Sequence, residues 1–238
     1  MPRYGTINTE YIASWFERDD PGGPMWALNL MQYRAKAEYA DGRATDLRGI
    51  EADDVYAPHE HLAAVGSRLI LLAPVVHHLR GDDRRWDRIA IAQYRDRMAL
   101  VEMSSSTAFQ EDEQHKEAGM EFTIAMASFP MQGQPVPPQR SAAGSEQLML
   151  LQVVGDAGVA DLARGLDTVR IGTFWVEDRF LGDHRTFAEA RFDLVSPAIA
   201  AELAARPFEH DDTGYALVVD PSLDDLARSL TDPTTVLF

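Results

Sequence analysis

None of the 238 residues is cysteine. That absence excludes disulfides, thiolate metal sites and cysteine nucleophiles, and it fits a cytoplasmic protein. Long hydrophobic runs are also missing: no stretch approaches the roughly 20 apolar residues needed to cross a bilayer as a helix. The opening residues, MPRYGTINTEYIASWFERDD, have neither a basic start followed by an apolar core nor a small-residue cleavage site, so they do not read as a signal peptide. Positive charge is scarce, with 22 basic residues against 38 acidic ones and a net charge of −16. Such a chain repels phosphate backbones, so neither nucleic acid nor an anionic membrane is an expected partner. No glycine-rich phosphate loop leads from a strand into a helix. No Ser-His-Asp order with an elbow motif occurs, and the serine run 104–106 lacks flanking glycines.

What remains is a chain long enough to bury one large core or two smaller ones. Residues 131–146, rich in proline, glutamine, glycine and serine, read as a linker between two halves. The first half, 24–130 after an N-terminal extension at 1–23, reads β-α-β-β-α-β. Its strands are WALNLMQY (26–33), SRLILLAPVVHHL (67–79), WDRIAIAQY (86–94) and EFTIAMASF (121–129). Its helices span 53–65 and about 96–118, the second interrupted near the serine run. Pro74 marks its strand as a sheet edge or a bulge. The second half, 147–221, repeats the order, with a short helix at 158–166 and another at 196–208, and 222–238 adds a terminal helix and tail. The hairpins LRGDDRRW (79–86) and LGDHRTF (181–187) share a local pattern. A β-α-β-β-α-β unit is the ferredoxin-like motif, so the expected class is α+β: two such repeats packed face to face or joined into one barrel.

The segments ALNLMQYR (27–34), DVYAPHEHLAAVGSRL (54–69), GDDRRWDRIAIAQY (81–94) and HKEAGMEFT (115–123) together resemble the domain-of-unknown-function 1330 family, within the dimeric α+β barrel superfamily. The resemblance covers about residues 24–130 and departs from the family at Tyr94-Arg95-Asp96, where Tyr-Pro-Ser is expected; the second half joins by element order alone. It implies an intramolecular dimeric α+β barrel with a pocket between sheet and helices. The superfamily includes cofactor-free monooxygenases, haem-degrading enzymes, isomerases and dehydratases, so the chemistry stays open.

Among candidate residues, Asn29 shares a strand face with Ala27, Met31 and Tyr33. It either orients a substrate oxygen or ties down a neighbouring loop. The Tyr56 hydroxyl is placed to donate to a ligand oxygen. His59 and His61, two apart on a helix, point away from each other and cannot chelate one metal. His77 and His78 read as solvated strand-end residues, and Asp87 as a partner of Arg84, Arg85 or Arg88. In QHKEAGMEFT, Gly119 reads as a left-handed helix end, with His115 and Lys116 facing the helix dipole. Asp112 and His115 are spaced to hydrogen-bond, an arrangement that would make His115 a general base. Arg170, Trp175, Arg179 and Arg191 are available to an anionic ligand. The resulting expectation is a small-molecule-binding protein, monomer or homodimer, acting on an apolar or aromatic carbonyl compound without a cofactor. Asn29, Tyr56, Asp112 and His115 would form its site. A haem-binding protein and a non-catalytic assembly protein are the alternatives.

Overall fold

A computed structural model describes residues 2–19, 22–134, 147–156 and 158–232. Most of the expected linker and the last residues of the tail lie outside the described residues. The N-terminal extension forms β1 (Thr6–Ile7) and α1 (Thr9–Trp15), capped by the Asn8 side chain, which accepts from Tyr11 N at 3.1 Å. The first repeat contains β2 (Met25–Tyr33), α2 (Gly49–Tyr56), α3 (His59–Ala64), β3 (Arg68–Gly81), β4 (Arg88–Tyr94), α4 (Arg97–Ser105), α5 (Thr107–Gly119) and β5 (Met120–Pro130). The second contains β6 (Leu148–Val154), β7 (Val169–Gly182), β8 (Glu189–Val195), α6 (Pro197–Ala204), β9 (Glu209–His210), β10 (Tyr215–Val219) and β11 (Leu223–Asp224), followed by α7 (Leu226–Thr231).

Eight antiparallel strands run β7-β5-β2-β4-β3-β10-β6-β8, and β8 pairs with β7 to close the ring. The chain therefore has the dimeric α+β barrel fold, made from two ferredoxin-like halves of one polypeptide. Period-two alternation sends Trp26, Leu28 and Leu30 into the barrel with Ile89, Ile91, Ile124, Met149 and Phe192, while Ala27, Asn29 and Met31 face outward. At one end of the barrel the two similar turns meet: Arg84 reaches Asp183 at 2.9 Å and Arg185 reaches Asp82 at 2.8 Å. This reciprocal pairing follows an internal twofold in which Gly81 (φ 149°) and Gly182 (φ 145°) correspond.

Five local expectations change. The helix placed at 53–65 is two helices, because Pro58 disfavours helical backbone at Ala57, which turns left-handed with φ 31°. The helix expected at 158–166 is a series of turns. Asp156 and Asp161 accept from the backbone of Gly158 and Ala163 at 2.8 and 3.0 Å, and Gly165 takes φ 81°, so local bonds displace the helical ladder. Of the two readings of Pro74, the edge fails and the bulge finds support: β3 is the edge of its own repeat, but β10 pairs it from Val75 onward with a register shift between Val75 and His77, and β11 pairs it at 71–72. Asp87 pairs with none of Arg84, Arg85 or Arg88; its carboxylate accepts from Tyr33 N at 2.7 Å, where β2 ends. Gly119 is not left-handed. It is the last residue of α5, and its glycine character is required because a Cβ there would overlap the Gly49 carbonyl where α2 and α5 touch. Asp96 caps α4, its carboxylate accepting from Ala99 N at 2.8 Å.

Gly119→Ala is expected to lower stability in chemical denaturation by about 1–3 kcal/mol through overpacking against Gly49. Gly23→Ala, where no atom lies within 4 Å of the added Cβ, is the control and should change it by less than about 0.5 kcal/mol.

Candidate functional site

Outside the barrel, between its first-repeat face and the helical layer, lies a cavity of about 660 Å³, a volume typical of small-molecule sites. Its floor is hollow for a simple reason. Asn29 on β2 is directly opposite Ala90 on β4 and Ala125 on β5, and Ala27 is opposite Ala92, so small side chains surround the amide. The helical wall is aromatic and aliphatic, from Tyr56, Leu62, Met103 and Phe109. The N-terminal extension adds Tyr4, Ile12 and Trp15, and β7 adds Phe180 and Leu181.

Several polar groups in this apolar chamber lack protein partners. The Asn29 amide donates to Ala27 O at 2.9 Å, leaving its carbonyl oxygen without a bond among the described residues. Tyr56, buried with its ring edge-on to Phe109, and Tyr94, buried on β4, have hydroxyls with no hydrogen bond among the described residues. Burial pushes both phenols above their ordinary range, so each remains a donor.

At one end of the cavity Asp53, with a side chain only 10% exposed, is joined by Tyr33 and Arg88. Tyr33 Oη donates to Asp53 Oδ2 at 2.5 Å, and Arg88 Nη1 lies 3.5 Å from the same oxygen and 2.8 Å from Asp54 Oδ1. Burial raises the Asp53 carboxyl above its usual value of 3.8, and it outweighs the opposing pull of Lys116, Tyr33 and Arg88. Asp53 Oδ1 accepts no hydrogen bond among the described residues. A partly desolvated carboxyl with one free oxygen in a cavity is a general acid/base arrangement. Close by, Glu113 accepts from the Tyr4 hydroxyl at 3.2 Å.

Of the four expected site residues, Asn29 and Tyr56 line the cavity together and His115 and Asp112 do not. Nor do the latter two pair. His115 Nδ1 is 2.7 Å from the Tyr39 hydroxyl, whereas Asp112 Oδ2 is 2.9 Å from Nε2 of His61 on α3. The cause is a rotation of the assumed stripe on α5. Phe109, Glu113, Lys116 and Glu117 (i, i+4, i+7, i+8) face the cavity, which turns Asp112 and His115 aside. In the sequence a helix-end cation accounts for Lys116 and a helix start for Asp53, so neither stands out as a site residue. The spacing Asp53–Tyr56 (i, i+3) was the available signal that both share one face. His77 and His78 are outside the cavity. Arg170 is occupied by Asp161 and Asp193 at 2.5 and 2.7 Å, and Arg191 by Glu189 at 2.7 Å, so neither awaits an anion. No group of three or more potential metal-ligating side chains occurs among the described residues.

The internal twofold explains why the second repeat does not repeat this cavity. The register that aligns Gly81 with Gly182 places Gln152 where Asn29 stands, Arg191 and Asp193 where Ala90 and Ala92 stand, and Arg170 for Leu69. Those larger side chains interlock: Gln152 donates to Asp161 at 2.7 Å, and Asp161 accepts from Arg170. Charge pairing occupies the volume that alanine leaves open on the other side.

No protein-family model matches the chain, and no curated protein sequence matches it. Solved structures do. A protein of unknown function from Rhodopseudomonas palustris, RPA0582, is 26% identical over 56% of this chain and 98% of its own, at a TM-score of 0.47. A mutant chlorite dismutase from Candidatus Nitrospira defluvii is 11% identical over 93% of this chain and 98% of its own, at 0.42. The Rhodococcus jostii DypB variant in complex with heme is 12% identical over 87% and 96%, at 0.44.

Because the folded-state value of Asp53 is raised, its contribution to stability is complete below about pH 3.8 and is lost as pH rises through the folded value. Asp53→Asn removes that loss. The stability of the variant relative to the parent should therefore increase from pH 4 toward pH 8 in urea denaturation; a difference that stays flat with pH refutes the assignment.

Proposed function

We propose that the cavity binds a small, largely apolar molecule bearing a carbonyl or enol oxygen, and that Asp53 moves a proton on it without a bound cofactor. The observation carrying this reading is the coexistence, in one apolar chamber, of unpartnered oxygen-recognising groups and a desolvated carboxyl. Asn29 and the Tyr56 and Tyr94 hydroxyls would hold the ligand oxygen and stabilise charge developing on it. Asp53 would exchange a proton with the neighbouring carbon or oxygen, its Tyr33 and Arg88 contacts keeping the free oxygen aimed inward. The apolar walls exclude water and make each of these bonds stronger than in solution. This is isomerase, lyase or monooxygenase-type chemistry on a DUF1330-like first repeat.

The haem alternative fits less well. His59 is the one histidine in the cavity lining, and it is exposed at the rim, while the interior donors are phenols, an amide and a carboxyl. The non-catalytic alternative would be favoured by a chamber too small or too polar for a ligand, and this one is neither.

The reading is tested with apolar ketones by thermal shift and by deuterium exchange at the carbon next to the carbonyl, followed by NMR. The parent should accelerate exchange and Asp53→Asn should bind but not accelerate it. Tyr56→Phe and Asn29→Leu should each weaken binding about tenfold, the worth of one hydrogen bond of about 1–1.5 kcal/mol. Equal exchange by the parent and Asp53→Asn would end the assignment, and a new Soret band with added haemin would favour the haem reading.

A further inference from the structure

Among the 22 basic residues, 20 are arginine and two are lysine, Lys36 and Lys116. Arginine is always protonated in proteins, whereas lysine can lose its proton and act as a nucleophile. Lys36 sits on the surface, 62% exposed and 3.5 Å from Asp46. Lys116 is different. It is half-buried on the cavity face of α5, and its ammonium has no hydrogen bond or ion pair among the described residues. Its near neighbours are the rings of Tyr56 and Tyr4, with centroids 5.4 and 6.0 Å away. Asp53 lines the same cavity, and the Lys116 charge is the strongest favourable influence on its carboxylate. A chain that uses arginine for nearly every cation thus places one of its two lysines, without an ion pair among the described residues, in the same apolar chamber as a buried carboxyl.

We infer that Lys116 condenses with aldehyde or ketone ligands of the cavity to form an imine. The inference rests on the carbonyl-binding reading above and extends it to a covalent step. In that step the Lys116 ammonium first gives a proton to the Asp53 carboxylate; the resulting amine attacks the carbonyl carbon, forming a C–N bond, and the carbonyl π electrons move to oxygen. One amine proton passes to that oxygen and Asp53 supplies a second. The C–O bond breaks, water leaves, and the protonated imine remains beside the Asp53 carboxylate. Tyr56 is placed to hold the oxygen until it departs.

The test uses the full chain with cinnamaldehyde or 4-phenylbutan-2-one and sodium cyanoborohydride, followed by peptide mass mapping. Lys36 is the internal control. Labelling at Lys116 should exceed labelling at Lys36 by at least about tenfold, be absent in Lys116→Arg, which keeps the charge, and be slowed in Asp53→Asn with Lys36 unaffected. Thermal shift with the same probes and no reductant separates the two readings. Probe binding without preferential labelling of Lys116 overturns the imine and leaves the carbonyl-binding site standing. Failure of both probes to bind overturns both.

Discussion

Each four-stranded ferredoxin-like sheet has two edges whose backbone groups need partners, and the β3–β10 and β5–β7 ladders satisfy all four edges by closing one barrel. Closure decides much else. It fills the barrel with Trp26, Phe174, Phe192 and Tyr215 and brings the two related turns close enough for Arg84 and Arg185 to exchange carboxylates. It also brings Phe180 and Leu181 of the second repeat to the cavity of the first. The site is therefore a property of both halves, although its polar residues come from one.

Duplication of a fold does not duplicate a site. The two outer faces share strand order and register, yet one row is alanine around an asparagine and the other is a mesh of Gln152, Asp161, Arg170, Arg191 and Asp193. Alanine leaves volume for a ligand beneath helices that cannot collapse into it, and the N-terminal extension roofs that volume with Ile12 and Trp15. The charged mesh fills the second face, where only the Asp193 Oδ2 among its buried side-chain oxygens and nitrogens is without a partner among the described residues.

Strand patterning made the face of one cavity residue, Asn29, readable. Alternation in WALNLMQY correctly separates the inward Trp26, Leu28 and Leu30 from the outward Asn29, because a strand has only two faces and one is fully apolar. Helix α5 is harder. Its run TAFQEDEQHKEAG is polar nearly all round, so no apolar stripe fixes which face packs, and a rotation of about 100° per residue suffices to exchange His115 for Lys116. The glycine contact between α2 and α5 settles that rotation, and neither glycine signals its partner in the linear chain.

The sequence by itself determined the α+β class, the order of elements in the first half, the separation of Asn29 from the face of Trp26, Leu28 and Leu30, and the absence of any thiol chemistry, because these follow from local periodicity and composition. Tertiary structure alone decided that Asp53, Tyr33, Arg88 and Lys116 share one end of a cavity and that Asp112 belongs to His61 and His115 to Tyr39. It alone decided, too, that the second face is filled. The physical reason is that such groupings depend on helix rotation and on packing between segments far apart in sequence, and neither leaves a periodic trace in the residues that carry them.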